Sequence, residues 1–458
     1  MLQPALTIIV PVHNKTEVLP QTAEALLNQS LPYENCEVIY IDDHSTDGSG
    51  KFLDGLARVH PAQVLRRAGS GGSAARARNA GLEAARGRHC LFLDADVLVG
   101  SNFLDELLRC VSSSRDVLLI PTMGSSGSTQ TWPFLSAIMT ASGEADSILR
   151  ECRENSLLSD ARLQWCDPQS GDFEALPAAW VFCWTTAVVV DTGVAREVGG
   201  FPTNLNGKGS EDIAFGLRLH EAGARFRMAR MESVLHLPHW RDSTAEDERD
   251  REHERRMLRH NPRFEVEMLA AFGADNANPA LNAFCSMRRE PWIEDWPRCA
   301  MPVERQPGGR LILLGAACEN LRETFQPTES ADPSFTRTGD SSHLPLLGLA
   351  LPYDDGELDW AVIPDCRGLL PESLICRIFQ EATRVAKRVL VALLPEGALR
   401  RPIVTEATSR QFDRPYWERT FRLSRSYYDW DLLPFQSFDH FELYELLPHG
   451  NRAAKNLW

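Results

Sequence analysis

The sequence predicts an α/β protein of two domains, each built on a mainly parallel sheet flanked by helices. Three observations carry that expectation. Short β-branched apolar runs alternate with helix-favouring segments through the N-terminal part, an order that parallel strands require because each crossover needs a helix. At 458 residues the chain exceeds what one hydrophobic core ordinarily serves. A fresh strand-like run, Arg310-Leu311-Ile312-Leu313-Leu314-Gly315, then opens a second alternation after a Pro/Trp-rich stretch from Pro291 to Gly309.

The elements follow in order. Leu6 to Val10 is a short strand ended by Pro11, and Glu17 to Gln29 carries a helical stripe of Leu19, Ala23, Leu26 and Leu27. Glu37 to Ile41 is a second strand, closed by Asp42-Asp43-His44; Ser45 to Ser49 supplies capping residues for a helix through Leu56. Val64 to Arg67 reads as a third strand. Gly69 to Ser73 is a loop without the Gly-Lys-Ser/Thr of a P-loop, and Ala74 to Arg86 is Ala-rich and helical. Cys90 to Leu93 is a buried strand that delivers Asp94 and Asp96 to its C-terminal end, the end that borders the ligand crevice of an open α/β sheet. Two acids at i and i+2 share a direction only where the chain leaves extended geometry. Trp180-Val181-Phe182 and Ala187 to Val190 read as further strands, Ile213 to Glu221 as a helix, and Arg241 to His260 as a solvated helix laced with i,i+4 pairs. Residues 1–240 are thus one domain, 241–307 a helical extension and linker, and 308–458 a smaller Rossmann-like domain.

Composition narrows the function. A net charge of −15 argues against a broad nucleic-acid or anionic-membrane surface, so an anionic substrate needs local binding groups. No segment has the roughly 20 unbroken apolar residues of a membrane span. The N-terminus enters a strand directly, without a basic and apolar leader, and the 11 Cys lack metal-type spacing; a cytoplasmic protein with reduced thiols is expected.

Four local features fall in one order: Val10-Pro11-Val12-His13-Asn14, then Ile41-Asp42-Asp43-His44-Ser45-Thr46-Asp47-Gly48-Ser49, then Ala77-Arg78-Asn79-Ala80-Gly81, then Leu93-Asp94-Ala95-Asp96. Downstream stand Gly199-Gly200-Phe201-Pro202, Gly209-Ser210-Glu211-Asp212 and His236. Across roughly residues 5–240 this resembles family 2 glycosyltransferases of the GT-A fold. The resemblance implies an inverting, hexosyltransferase-type transfer from a UDP- or dTDP-sugar, assisted by Mn²⁺ or Mg²⁺. It implies Asp43 as reader of the base N–H, walled by Pro11, Val12 and Asn14. It implies Asp94, Ala95 and Asp96 around the ribose and diphosphate, with Asp96 the metal ligand. Asp212 becomes the base and Glu211 an acceptor contact.

Beside the resemblance stand readings from the residues. One of Asp42, Asp43 and Asp47 caps the following helix. Arg78, early in its helix, suits a diphosphate or a base edge. His236 is preferred over His239 as a third metal ligand, and imidazole tilts the choice toward Mn²⁺. Glu211 and Asp212 sit at a helix N-terminus that favours negative charge. Trp184-Thr185-Thr186 departs from relatives that carry a small residue and an Asn; with Trp132, Trp165 and Trp180 it suggests an apolar or sugar-stacking acceptor cleft. The acceptor is read as soluble, a peptide, glycan or metabolite, and a homodimer stays open.

Residues 310–450 carry a weaker resemblance to class I methyltransferases, through Leu351 to Ile363 and Ile378 to Val391. The loop Leu314-Gly315-Ala316-Ala317-Cys318-Glu319 has one Gly where the family has Gly-x-Gly, and Phe325 to His343 is polar where a second strand and its ribose-binding acid belong. Methyl transfer is not expected. The alternative function is a bifunctional glycosyl/methyl transferase or an S-adenosylmethionine-dependent methyltransferase.

Overall fold

The computed structural model describes residues 3–30, 35–67, 72–111, 115–124, 144–154, 158–173, 175–204, 210–237, 243–284, 296, 309–315, 318–332, 342–366, 370, 372–394, 430–437 and 442–448. The chain divides into two compact units, Met1–Asp250 and Arg251–Trp458.

The first unit begins β1 (Leu6–Val12), α1 (Leu19–Leu27), β2 (Cys36–Asp42), α2 (Ser49–Val59), β3 (Ala62–Arg66), α3 (Ala74–Ala84) and β4 (His89–Leu93). It continues with β5 (Val97–Leu98), α4 (Phe103–Cys110), β6 (Val117–Leu119), β7 (Thr122–Met123), β8 (Ala187–Asp191), β9 (Phe226–Met228) and β10 (Val234–His236); the Glu211–Glu221 helix precedes β9. Seven strands form one sheet in the order β3-β2-β1-β4-β8-β6-β9. β1 lies parallel to both β2 and β4, so the C-terminal ends of all three open on one edge. β8 runs antiparallel to β4 with Leu93 opposite Ala187, which brings Thr185 and Thr186 to that same edge. A second sheet, β5-β10-β7, pairs His236 with Val97 and thereby sets His236 beside Asp96. Every residue of β2 and β4 is buried, as continuous apolar strands of a covered parallel sheet should be.

Two expectations are corrected here. β1 does not end at Pro11 but runs through Val12; its ladder with β4 already stops at Ile9, so a residue without an N–H falls where one pairing has ceased. Trp180-Val181-Phe182 is no strand but part of a 3₁₀ turn, Ala179–Phe182. All three side chains are buried, so the run is apolar on every side rather than on one pleated face. The Glu211–Glu221 helix packs so closely on it that a Cβ on Gly216 would stand 2.5 Å from the Trp180 carbonyl oxygen.

The second unit contains the Phe264–Phe272 and Ala274–Phe284 helices, then β11 (Leu311–Leu314), β12 (Glu329–Ala331), β13 (His343–Leu344), β14 (Leu358–Pro364), β15 (Ala386–Leu393), β16 (Trp430–Ser437) and β17 (Glu442–Pro448). The charged segment before them forms the Ser243–His260 helix. The sheet order is β13-β12-β11-β14-β15-β17-β16, parallel from β13 to β15 and antiparallel at β17 and β16. The expectation of an irregular segment between Phe325 and His343 is corrected by β12, which the buried acid Asp332 follows directly. A three-residue strand containing Glu and Ser shows no hydrophobic period; pairing on both sides defines it. Of the stretch read as a linker, only Trp296 and Gly309 are described. No described helix is long and apolar enough to cross a membrane.

Gly216→Ala tests the helix contact. Its Cβ would meet backbone, which cannot swing away. Urea unfolding should show a loss of about 1–3 kcal/mol, the usual cost of overpacking; an unchanged midpoint would refute the close approach.

Candidate active site

The site grows from the loops that follow β1, β2, β4 and β8. The acids after β2 sort themselves by their partners. Asp42 binds Arg66 at 2.5 Å and accepts Ser45 N–H at 3.1 Å. Asp47 accepts N–H from Ser49 at 3.0 Å and from Thr16 at 2.9 Å, which makes it the turn-organising acid. Asp43 faces inward: its carboxylate meets the Arg67 guanidinium and accepts Ser73 N–H, the start of α3, at 2.5 Å. The His13 ring donates to the Asp43 carbonyl at 2.7 Å and packs on Gly72, where any Cβ would come 3.3 Å from the imidazole. Asn14 adopts φ 52° and ties its loop to the next one, accepting Thr46 N–H at 2.8 Å.

After β4 the chain turns. Val97 N–H bonds to Asp94 O at 3.1 Å, and the Ala95 carbonyl accepts the Thr22 hydroxyl at 2.7 Å. That turn is what gathers the two acids. Asp94, Asp96 and His236 each offer a ligand atom, all within 4.8 Å of one another. Backbone pairing fixes the His: Leu237 N–H reaches Asp96 O at 2.8 Å, and His236 Nε2 lies 3.4 Å from Asp96 Oδ1. Two carboxylates and an imidazole suit Mn²⁺ well and Mg²⁺ less well, so the residues fit a divalent ion. The Lys15 ammonium also pairs with Asp96.

Arg78 is the hinge of the site. Its guanidinium is buried, 2.8 Å from Asp94 Oδ1 and 3.0 Å from Glu211 Oε1, with the Phe201 ring 5.5 Å away. The Gly199-Gly200-Phe201 segment docks beside it through reciprocal 2.8 Å bonds between Asn79 and the Phe201 backbone. Glu211 is thus held by Arg78, whereas Asp212 turns toward β8, accepting Thr185 N–H at 3.3 Å and its neighbour Ile213 N–H at 2.8 Å. Burial first, then the adjacent Glu211, push the Asp212 carboxyl up to about 7, although Arg78 pulls it down. Ser210 has φ 57° and makes no side-chain cap, so the helix opens on its two acids. Trp180 is core, while Trp184 is half-buried with Arg162 4.8 Å above its ring. His239, Trp132 and residues 69–71 lie outside the described residues.

The structure therefore brings together Asp94, Asp96, His236, Arg78, Glu211 and Asp212, and gathers Asp43 with the loop after β1. Pro11 and Val12 form the end of β1, and Asn14 lies in that loop. Arg78, expected against an external anion, is engaged by two carboxylates of its own chain. Lys15 and Arg67 were missed. Their signal was placement alone: Lys15 follows Asn14 in the loop after β1, and Arg67 follows β3, the strand paired with β2.

Residues 7–167 match the family model described as glycosyl transferase family 2. The chain is 25% identical over 243 residues to validoxylamine A glucosyltransferase of Streptomyces hygroscopicus subsp. jinggangensis, covering 53% of this chain and 57% of that protein. It is 31% identical over 134 residues to the poly(ribitol-phosphate) beta-N-acetylglucosaminyltransferase TarP of Staphylococcus aureus, covering 28% and 39%. The chain thus spans little more than half the length of the former relative. Among solved structures, S. aureus TarS 1–349 in complex with UDP-GlcNAc aligns with a TM-score of 0.42 at 17% identity, covering 62% of this chain and 76% of that one.

Arg78→Met should destabilise the protein by about 3–5 kcal/mol, because buried Glu211 and half-buried Asp94 lose their counter-charge. The loss should be larger at pH 8 than at pH 5, because Arg78 holds down the Asp212 carboxyl, raised to about 7, and only above that value must Asp212 stay ionised without it. Thermal unfolding at the two pH values tests this; an equal loss at both would overturn the electrostatic account.

Proposed function

We propose that the domain whose residues 7–167 match the family 2 glycosyltransferase model moves a hexose from a UDP- or dTDP-sugar to a soluble acceptor hydroxyl with inversion at the anomeric carbon. One observation carries the reading: Asp212, its carboxyl pushed up to about 7, directly follows Glu211, which Arg78 joins to Asp94 of the Asp94–Asp96–His236 cluster, and the Arg78 charge acts on Asp212 as well.

The residues divide the work. Asp43 accepts the ring N–H of uracil or thymine, a donor absent from that position in cytosine. Arg67, already against Asp43, is placed to donate to the neighbouring carbonyl of the same base edge. Asp96 and His236, with Asp94 alongside, would hold Mn²⁺ or Mg²⁺, which supplies charge neutralisation for the departing diphosphate. Arg78 keeps Asp94 and Glu211 oriented. Asp212 takes the acceptor proton as the acceptor oxygen bonds to the anomeric carbon and the bond from that carbon to the diphosphate oxygen breaks. Its raised pKa suits a base working near neutrality, and Glu211, held by Arg78, contacts the acceptor beside it. Half-buried Trp184, next to Thr185, offers a ring for a sugar face.

A second reading rests on the other unit. Its strands run β13-β12-β11-β14-β15, the 3-2-1-4-5 order of doubly wound nucleotide-binding sheets. Gly315, at φ 62°, and Asp332 follow adjacent strands at the edge where such sheets take ligands. Saturable S-adenosylmethionine binding to the full chain in calorimetry would favour a bifunctional enzyme.

Two outcomes test the main proposal. UDP with Mn²⁺ at about a hundred times its Kd should raise the melting temperature by roughly 5–10 °C, and Asp96→Asn should abolish the shift. No shift with any nucleoside diphosphate sinks the reading. Asp212→Asn should cut transfer about 10²–10⁴-fold while leaving UDP binding intact. A base must be unprotonated, so the wild-type rate should climb as pH rises through about 7; a rate that falls over this range would exclude Asp212 as the base.

A further inference from the structure

We propose that Lys15 is a built-in counter-cation of the metal cluster: its ammonium holds Asp96 while no divalent ion is bound, and moves to the donor diphosphate when one is. The inference rests on the proposed function for its second half. Its first half stands on geometry. Asp96 is 3% exposed, and a carboxylate so enclosed needs a cation. Lys15 supplies one, pairing with Asp96 Oδ2 on the side opposite His236, which faces Oδ1.

The backbone of Lys15 is tied down, and its head is in reach of solvent. Lys15 N–H bonds to Ser49 Oγ at 2.9 Å. Its neighbours are tied likewise, Asn14 N–H to Ser45 Oγ at 3.1 Å and Thr16 N–H to Asp47 at 2.9 Å. The loop after β2 thus fixes where the side chain starts. Yet that side chain is 26% exposed, on a flexible four-carbon stem ending in a point charge. Asp94 is fixed by Arg78, and His236 is carried on a paired strand. Lys15 is the member of the cluster built to leave.

Two cations cannot share one carboxylate without repelling each other, so ammonium and divalent ion compete for Asp96. The ion that wins releases a positive charge beside the place where the diphosphate is bound. Metal and nucleotide then bind with positive coupling, and the coupling is reciprocal.

The experiment titrates Mn²⁺ by electron paramagnetic resonance, and UDP by calorimetry, on the full chain and on Lys15→Met, with Lys15→Gln as a second neutral variant and Lys15→Arg as the charge-retaining control. The neutral variants should bind Mn²⁺ alone about tenfold more tightly, the effect of removing a competing pair worth about 1.4 kcal/mol. In saturating Mn²⁺ they should bind UDP about tenfold more weakly. Their melting temperature should drop in EDTA and recover in Mn²⁺, whereas a merely structural lysine would lower it equally in both. Lys15→Arg should follow the wild type. If the wild type binds Mn²⁺ and the neutral variants bind it no more tightly, the counter-cation role is overturned while the metal reading survives. If neither wild type nor variants bind Mn²⁺, both fall.

Discussion

The site depends on one buried guanidinium. Arg78 reaches Asp94 from the β4 turn and Glu211 from the helix that follows far downstream, and so joins segments more than a hundred residues apart. Without it, the edge of the sheet would gather several carboxylates with too little positive charge. A triad in which Arg78 and Glu211 are buried and Asp94 half-buried is weak evidence for net stability, since desolvation offsets most of the attraction. Its effect is on position. The Asn79 bonds that seat Phe201 beside Arg78 come from the next residue of the same helix, so α3 is ordered by the motif it orders.

That arrangement explains what local sequence could reveal. Strand ends and the Asp94-Ala95-Asp96 turn were legible because apolar runs that end in acids have few other uses in a covered sheet. The partner of Arg78 was not legible. A guanidinium early in a helix satisfies the same local rules whether it meets a phosphate or two carboxylates, and only tertiary contacts from Glu211 decide. Trp180 to Phe182 failed for a related reason: a short apolar run enclosed on all sides has no period to read, and its closeness to Gly216 fixed a turn instead of a strand. β12 was invisible because three residues cannot establish an alternation.

The acids after β2 show how the sheet settles what composition leaves open. Asp42, Asp43 and Asp47 are chemically alike. β2 and β3 are parallel with Asp42 opposite Arg66, so successive residues alternate faces on both strands together. Arg66 therefore meets Asp42 on one face, and Arg67 meets Asp43 on the other. Two consecutive arginines answer two consecutive aspartates. Asp47, beyond the strand, is left to organise backbone N–H groups, and in doing so it fixes the loop that carries Lys15.

A perturbed carboxyl does not by itself mark a site. Glu267 in the second unit, like Asp212, is pushed up to about 7 by burial. Its oxygens, however, accept N–H groups of Leu347, Gly348 and Leu349, each at 2.7 Å, in an apolar segment that lacks strand partners for them. With those bonds in place Glu267 organises backbone, and a group so enclosed has no route to a substrate proton. Asp212 accepts fewer and longer backbone bonds, remains half-buried, and follows Glu211, which Arg78 joins to the Asp94–Asp96–His236 cluster. The same burial that raises both carboxyls yields a scaffold in one place and a candidate base in the other, and the difference lies in which lone pairs the fold leaves facing outward.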